Sequence, residues 1–173
     1  RDNAYNKMIS YYLYLLNKIG VTVVDNAESG QSGKNWKDNI GTNTLNQAIA
    51  ASGDGTNVVF EFSFGINDWP LGSTSVESWL TEGLAKYIAA CPNARVLLVT
   101  PVCTSDSARN TGLQTIYRNL AAKFNAPLID VLAITSAIFG NASYYFDTVH
   151  PNQYGSVRVV NYIVDKILPA EMY

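Results

Sequence analysis

Val58-Val59-Phe60-Glu61-Phe62-Ser63-Phe64-Gly65-Ile66-Asn67-Asp68-Trp69-Pro70 begins as a strand and ends as a polar loop. Its first half is β-branched and aromatic, the residue types that fit a pleated surface, and predicts a strand over 57–64. Gly65, Asn67, Asp68 and Pro70 are turn residues, able to halt a strand. Upstream, 44–51 reads as a helix. Downstream, 76–90 reads as another, with Trp79, Leu80, Leu84, Tyr87 and Ile88 recurring on one face. The alternation continues outward: a helix over 5–19, a strand over 21–24, a strand over 96–102, a helix over 113–124, a short strand over 127–131 and a last helix over 154–167. Gly155 makes the start of that last helix soft. Short apolar strands alternating with helices imply a parallel sheet covered on both faces, a three-layer α/β/α sandwich. In such sheets ligands bind at the carboxyl ends of the strands.

Bulk properties narrow the function classes. A chain of 173 residues with no repeat, linker or composition break fits one domain. Hydrophobic residues make up 47% and charged residues 15%, so a large core is available and the surface relies on uncharged polar groups. The net charge is -2 with no basic run, which leaves no electrostatic footprint for nucleic acid or an anionic membrane. No apolar run approaches the roughly 18 residues of a membrane-spanning helix. Cys91 and Cys103 flank a predicted strand whose extended length holds them apart, so no disulfide is expected, and no metal-ligand spacing occurs. The first residue is Arg rather than Met, which reads as a processed form or a fragment.

The chemistry concentrates in Phe146-Asp147-Thr148-Val149-His150-Pro151-Asn152, which holds the only histidine. Histidine is the side chain whose proton exchanges near neutral pH. An aspartate three residues earlier, across a short turn, can reach the imidazole Nδ1–H and stabilise an imidazolium. Two further polar loops follow strands: Asn26-Ala27-Glu28-Ser29-Gly30-Gln31-Ser32, and Gly65-Ile66-Asn67-Asp68. Taken singly, Gly30 reads equally as a turn glycine, and Asn67-Asp68 as a cap or Asx-turn. Asp68 is expected to bond loop backbone. Trp36 and Trp69 either line a substrate cleft or pack as ordinary half-buried rings.

In their order and separation, the oxyanion-glycine loop, the Gly-x-Asn-Asp block and the Asp-x-x-His-Pro block resemble the SGNH hydrolases, also called GDSL esterases. The resemblance spans most of the chain and implies a flavodoxin-like sheet with the SGNH hydrolase fold. It implies that Gly30, through its backbone N–H, and Asn67, through its side-chain amide, hold an oxyanion. It makes His150 the general base and then acid, with Asp147 orienting it. Trp69, Trp36 and Ser29 are the candidate substrate-binding residues. No metal and no cofactor are implied.

The family's fourth block, strand plus Gly-Asp-Ser, does not occur in these residues; Gly53-Asp54-Gly55 is the nearest string and lacks the hydroxyl. Ser29 and Ser32 lie on the oxyanion loop rather than on the family's nucleophile loop. The expectation is therefore that residues 1–173 form a single SGNH domain lacking its first strand, and that an upstream segment supplies that strand and the serine and packs in the sheet. The implied activity is a serine esterase, with carbohydrate acetyl esters as the leading substrate. A lipase or thioesterase, or a non-catalytic glycan-binding module, stands as the alternative. A flavodoxin-like nucleotide binder lacks its phosphate-cradling glycine loop. The expected partner is a small-molecule or polysaccharide ester. Secretion or surface association is weighed above the cytoplasm, and oligomeric state is left open.

Overall fold

The computed structural model describes residues 30–138, 143–145, 147–148 and 150–167. The expected helix over 5–19 and strand over 21–24 lie outside these residues. The described chain groups into two compact units, 30–101 with 111–128, and 102–110 with 129–167.

The first unit opens with α1 (Gly33–Lys37) and α2 (Leu45–Ser52). Sequence reading finds α2 but not α1, which is a single turn with too few residues to show a period. Helix α1 starts because the Ser32 hydroxyl accepts from Asn35 N–H at 3.0 Å. Helix α2 starts at Thr44, whose backbone N–H donates to the Gln47 side chain at 2.8 Å. Strand β1 (Val59–Phe62), a 3₁₀ turn (Trp69–Leu71) and helix α3 (Ser73–Ala90) follow. Then come β2 (Arg95–Val99), α4 (Ser107–Phe124) and β3 (Leu128–Ile129). The sheet order is β1-β2-β3. β1 and β2 run parallel, with Val59 opposite Arg95 and Phe62 opposite Leu98. Leu98 N–H donates to Pro127 O at 2.9 Å and ties in the approach to β3.

Alternate residues of β1 and its extension build an aromatic core. Phe60 stacks on Tyr87 of α3 at 3.8 Å between ring centroids. Trp36 of α1 lies 5.6 Å from Phe62 and 5.0 Å from Phe64. Leu80, Leu84 and Tyr87 of α3 and Leu113, Ile116, Tyr117 and Leu120 of α4 are buried, each set at the three- and four-residue spacing of one helix face. The Tyr117 hydroxyl accepts from Phe64 N–H at 2.6 Å and donates to Phe64 O at 2.9 Å. One phenol thus satisfies both backbone groups of the residue at which the strand gives way to loop. Burial pushes that phenol well above its ordinary range.

The first turn of α4, residues 107–110, falls in the second unit and begins six residues before the expected start. Asp106 holds its first turn, accepting from Arg109 N–H at 2.9 Å through its side chain. The opening Ser-Ala-Arg-Asn-Thr-Gly has no apolar stripe, so periodicity alone could not reveal it. A second unexpected helix, α5 (Val131–Ser136), is capped by Asp130, whose carboxylate accepts from Ala133 N–H at 3.1 Å. It replaces the end of the strand expected over 127–131. Thr135, buried on α5, accepts from Cys103 N–H at 2.8 Å and donates to Val131 O at 2.8 Å. The last helix, α6 (Gln153–Ile167), buries Ser156, Val159, Val160 and Ile163. Cys91 and Cys103 are both free and buried, so the thiols remain unpaired with each other as expected. Among the described residues no helix is long and apolar enough to cross a membrane.

Candidate active site

The residues expected to form the site fall in both units, and each half is described in its own. In the first unit, Gly30 is exposed and sits in a turn at φ +77°, a conformation that L side chains rarely adopt. Asn67, after β1, donates its side-chain amide to Gln31 O at 3.1 Å. The structure therefore brings Asn67 to the Gly30–Gln31 loop. A primary amide has two N–H donors, and this bond uses one of them. Gln31 anchors the loop from its other side, donating its amide to Ile40 O and Asn43 O, each at 3.0 Å.

Asp68 lies beneath this arrangement and is 0% exposed. Its carboxylate accepts from Gly33 N–H at 2.6 Å and Lys34 N–H at 2.9 Å. These are orphan donors at the start of α1, where a negative charge also meets the positive end of the helix dipole. The expectation that Asp68 bonds loop backbone is met in this way. A Cβ on Gly33 would come 2.2 Å from the Leu80 side chain, which would have to shift to admit it. At the other end of α1, the Lys34 and Lys37 ammonium groups beside Asp38 hold its carboxyl down at about 2.

In the second unit, the Asp147 carboxylate performs two tasks. One oxygen accepts from His150 N–H at 2.8 Å and closes the turn. The other lies 2.9 Å from His150 Nδ1. A carboxylate only accepts, so this contact places the neutral imidazole's proton on Nδ1 and leaves Nε2 as the basic nitrogen. The His150 side chain is 59% exposed and thus open to a reactant. Several bonds hold the turn in place. Ser105 N–H donates to Thr148 O at 3.0 Å. Tyr145 pairs with Pro151 in an antiparallel bridge, and Asn152 N–H donates to Tyr144 O at 2.8 Å. Asn152 also caps α6, accepting from Tyr154 and Gly155 N–H at 2.9 and 3.1 Å. An asparagine ahead of a helix is a readable cap signal; the anchoring by Gln31 carries no such signal.

Two expectations change. Trp36 is 2% exposed and enclosed by Phe60, Phe62 and Phe64, so no ring face remains for a substrate. Its role is corrected from cleft lining to core packing. Trp69 is half-buried, its ring so close to Gly112 that a Cβ there would lie 1.9 Å from it. Ser29 lies outside the described residues. Gly155, which looked like a weak helix former, is the position where Tyr144 O approaches: a Cβ would stand 2.2 Å from that oxygen.

The model of the GDSL-like lipase/acylhydrolase family matches residues 3–158. Among solved structures, the chain is similar to a lipase/acylhydrolase from Enterococcus faecalis (TM-score 0.70, 16% identity, covering 92% of this chain and 84% of that one). It is similar to the psychrotrophic esterase EstA from Pseudoalteromonas, solved inhibited by monoethylphosphonate (TM-score 0.68, 18% identity, 92% and 85% covered). It is also similar to a carbohydrate esterase of family 3 from Talaromyces cellulolyticus (TM-score 0.58, 19% identity, 81% and 68% covered). No curated protein matches. At these identities the likeness shows the fold, the three-layer α/β/α architecture that the alternation of elements predicts.

Proposed function

Because the chain belongs to the GDSL-like lipase/acylhydrolase family, we propose that it hydrolyses carboxylic esters through a Ser-His-Asp triad. In this proposal residues 1–173 act as one hydrolase domain. His150 Nε2 takes the proton of a serine hydroxyl as the oxygen attacks the ester carbonyl carbon. Asp147 holds the imidazole by Nδ1 and stabilises its charged form. Gly30 N–H and the Asn67 amide donate to the developing oxyanion, each such donor typically worth roughly 3 kcal/mol of barrier. His150 then gives the proton to the departing alkoxide, leaving an acyl-enzyme. Water, activated by the same nitrogen, releases the acid and restores the serine.

The observation that carries this reading is the Asp147–His150 contact at 2.9 Å on an exposed imidazole. The string Gly-Asp-Ser does not occur in residues 1–173, so the serine is to be identified by labelling. The substrate assigned is an acetyl ester of a carbohydrate, supported by the likeness to a carbohydrate esterase. A fluorophosphonate probe tests the mechanism, because only an activated serine reacts. A labelled Ser29 or Ser32 would move the nucleophile onto the oxyanion loop, and no label would leave a binding module. A panel of acetyl and long-acyl nitrophenyl esters tests the substrate, and preference for long chains would favour a lipase.

A further inference from the structure

The second unit, which also holds the Asp147–His150 turn, contains an open cavity of about 380 Å³ lined by Ser143, Tyr144 and Tyr154. Among the described residues its lining is two tyrosines and a serine. Tyr154 is 74% exposed, so its ring is open to a ligand. It projects from the first turn of α6, whose start is set by Asn152, two residues after His150. Tyr144 is set by the same asparagine, which donates its backbone N–H to Tyr144 O at 2.8 Å. Thus one residue places both tyrosines and the chain leaving the histidine. The Tyr144 ring is held in turn by Arg158, whose guanidinium lies 5.5 Å over it and donates to its hydroxyl at 3.3 Å.

We propose that Tyr144 and Tyr154 form a carbohydrate subsite that seats the sugar, the alcohol half of the ester, next to His150. A pyranose presents C–H groups on its flat faces and hydroxyls on its rim. Rings with polar tips, open to water, match both features. A long acyl chain requires something else, an enclosed apolar slot. Assigning the sugar to the alcohol half rests on the esterase reading; binding of the sugar itself does not.

The test is saturation-transfer NMR and titration of the full chain with a partially O-acetylated xylotriose. Saturation on the pyranose C–H protons is expected. Tyr154→Ala is expected to weaken binding about tenfold, in line with one lost ring contact. Tyr154→Trp keeps a ring and is expected to restore most of the affinity, which separates stacking from a fault in folding. Equal affinity in Tyr154→Ala, or no binding to the unaltered chain, overturns the subsite. So does a nitrophenyl ring occupying the cavity while the sugar is excluded. Fluorophosphonate labelling without sugar binding overturns this inference and spares the esterase. Sugar binding without labelling supports the subsite and removes the esterase.

Discussion

The Asp68 carboxylate accepts hydrogen bonds from Gly33 and Lys34, 35 and 34 residues earlier in the chain. The loop after β1 is thereby fastened to the start of α1, and Asn67, next door, reaches the Gly30–Gln31 loop. Asp68→Ala would leave two backbone donors without their acceptor and is expected to cost roughly 2–4 kcal/mol. Asp68→Asn keeps one good acceptor and is expected to cost less. Urea denaturation of the two variants checks the order; equal stability of Asp68→Ala and the unaltered chain would rule out this anchoring role.

Asp147→Asn is expected to lower kcat on an acetyl ester by about 10³–10⁴-fold, because an amide can hold the wrong tautomer of His150. His150→Ala is expected to fall at least as far. Since the histidine side chain is 59% exposed, thermal stability should change little in that variant. Steady-state kinetics beside thermal denaturation separate the two effects.

Trp36→Ala is expected to destabilise by about 3–5 kcal/mol through loss of a large enclosed ring. Trp36→Phe should cost less and leave KM unchanged, because no face of the ring meets a substrate. A raised KM in a well-folded Trp36→Phe would restore the cleft-lining reading.

Gly155→Ala would drive a methyl group against Tyr144 O, an atom of backbone that cannot rotate away. A loss of about 1–3 kcal/mol is expected. Since Tyr144 and Asn152 are the pair on which the histidine turn hangs, activity should also fall, up to about 10²-fold for a displacement near 1 Å. Kinetics at low temperature, where the variant remains folded, isolate that effect.

Tyr145 donates its hydroxyl to Cys103 O at 3.3 Å, and burial lifts its phenol from the ordinary 10 to about 12. The unfolded phenol ionises first, so its contribution is complete below pH 10 and is lost as pH rises toward 12. Tyr145→Phe is expected to cost about 1 kcal/mol at neutral pH and to flatten the alkaline part of the stability curve. Denaturation midpoints measured from pH 8 to 12 check both signs.

Much of the candidate site could be read before any coordinates. The Asp147–His150 separation is three residues, short enough that a turn alone brings carboxylate to imidazole. The strand expected over 57–64 was visible because its residues favour a pleat, and the structure places it at Val59–Phe62. The ends were less visible. Helix α4 begins in a polar stretch whose only signal is the Asp106 cap, and α5 is a six-residue helix whose signal is Asp130. Gln31 holds the Gly30–Gln31 loop through two carbonyls that no spacing rule picks out.

By itself the sequence determined the alternation of helices and strands, the α/β class and the identity of the residues that can do acid–base chemistry. These rest on interactions within a few residues, where spacing translates directly into geometry. Tertiary structure alone decided that Trp36 is core and that Gly155 is where a carbonyl passes. It also decided that Asp68 ties two loops together, and that Tyr117 closes the backbone of Phe64 from 53 residues away. Solvent exclusion and close approach depend on which elements pack together, and no local pattern of residues carries that information.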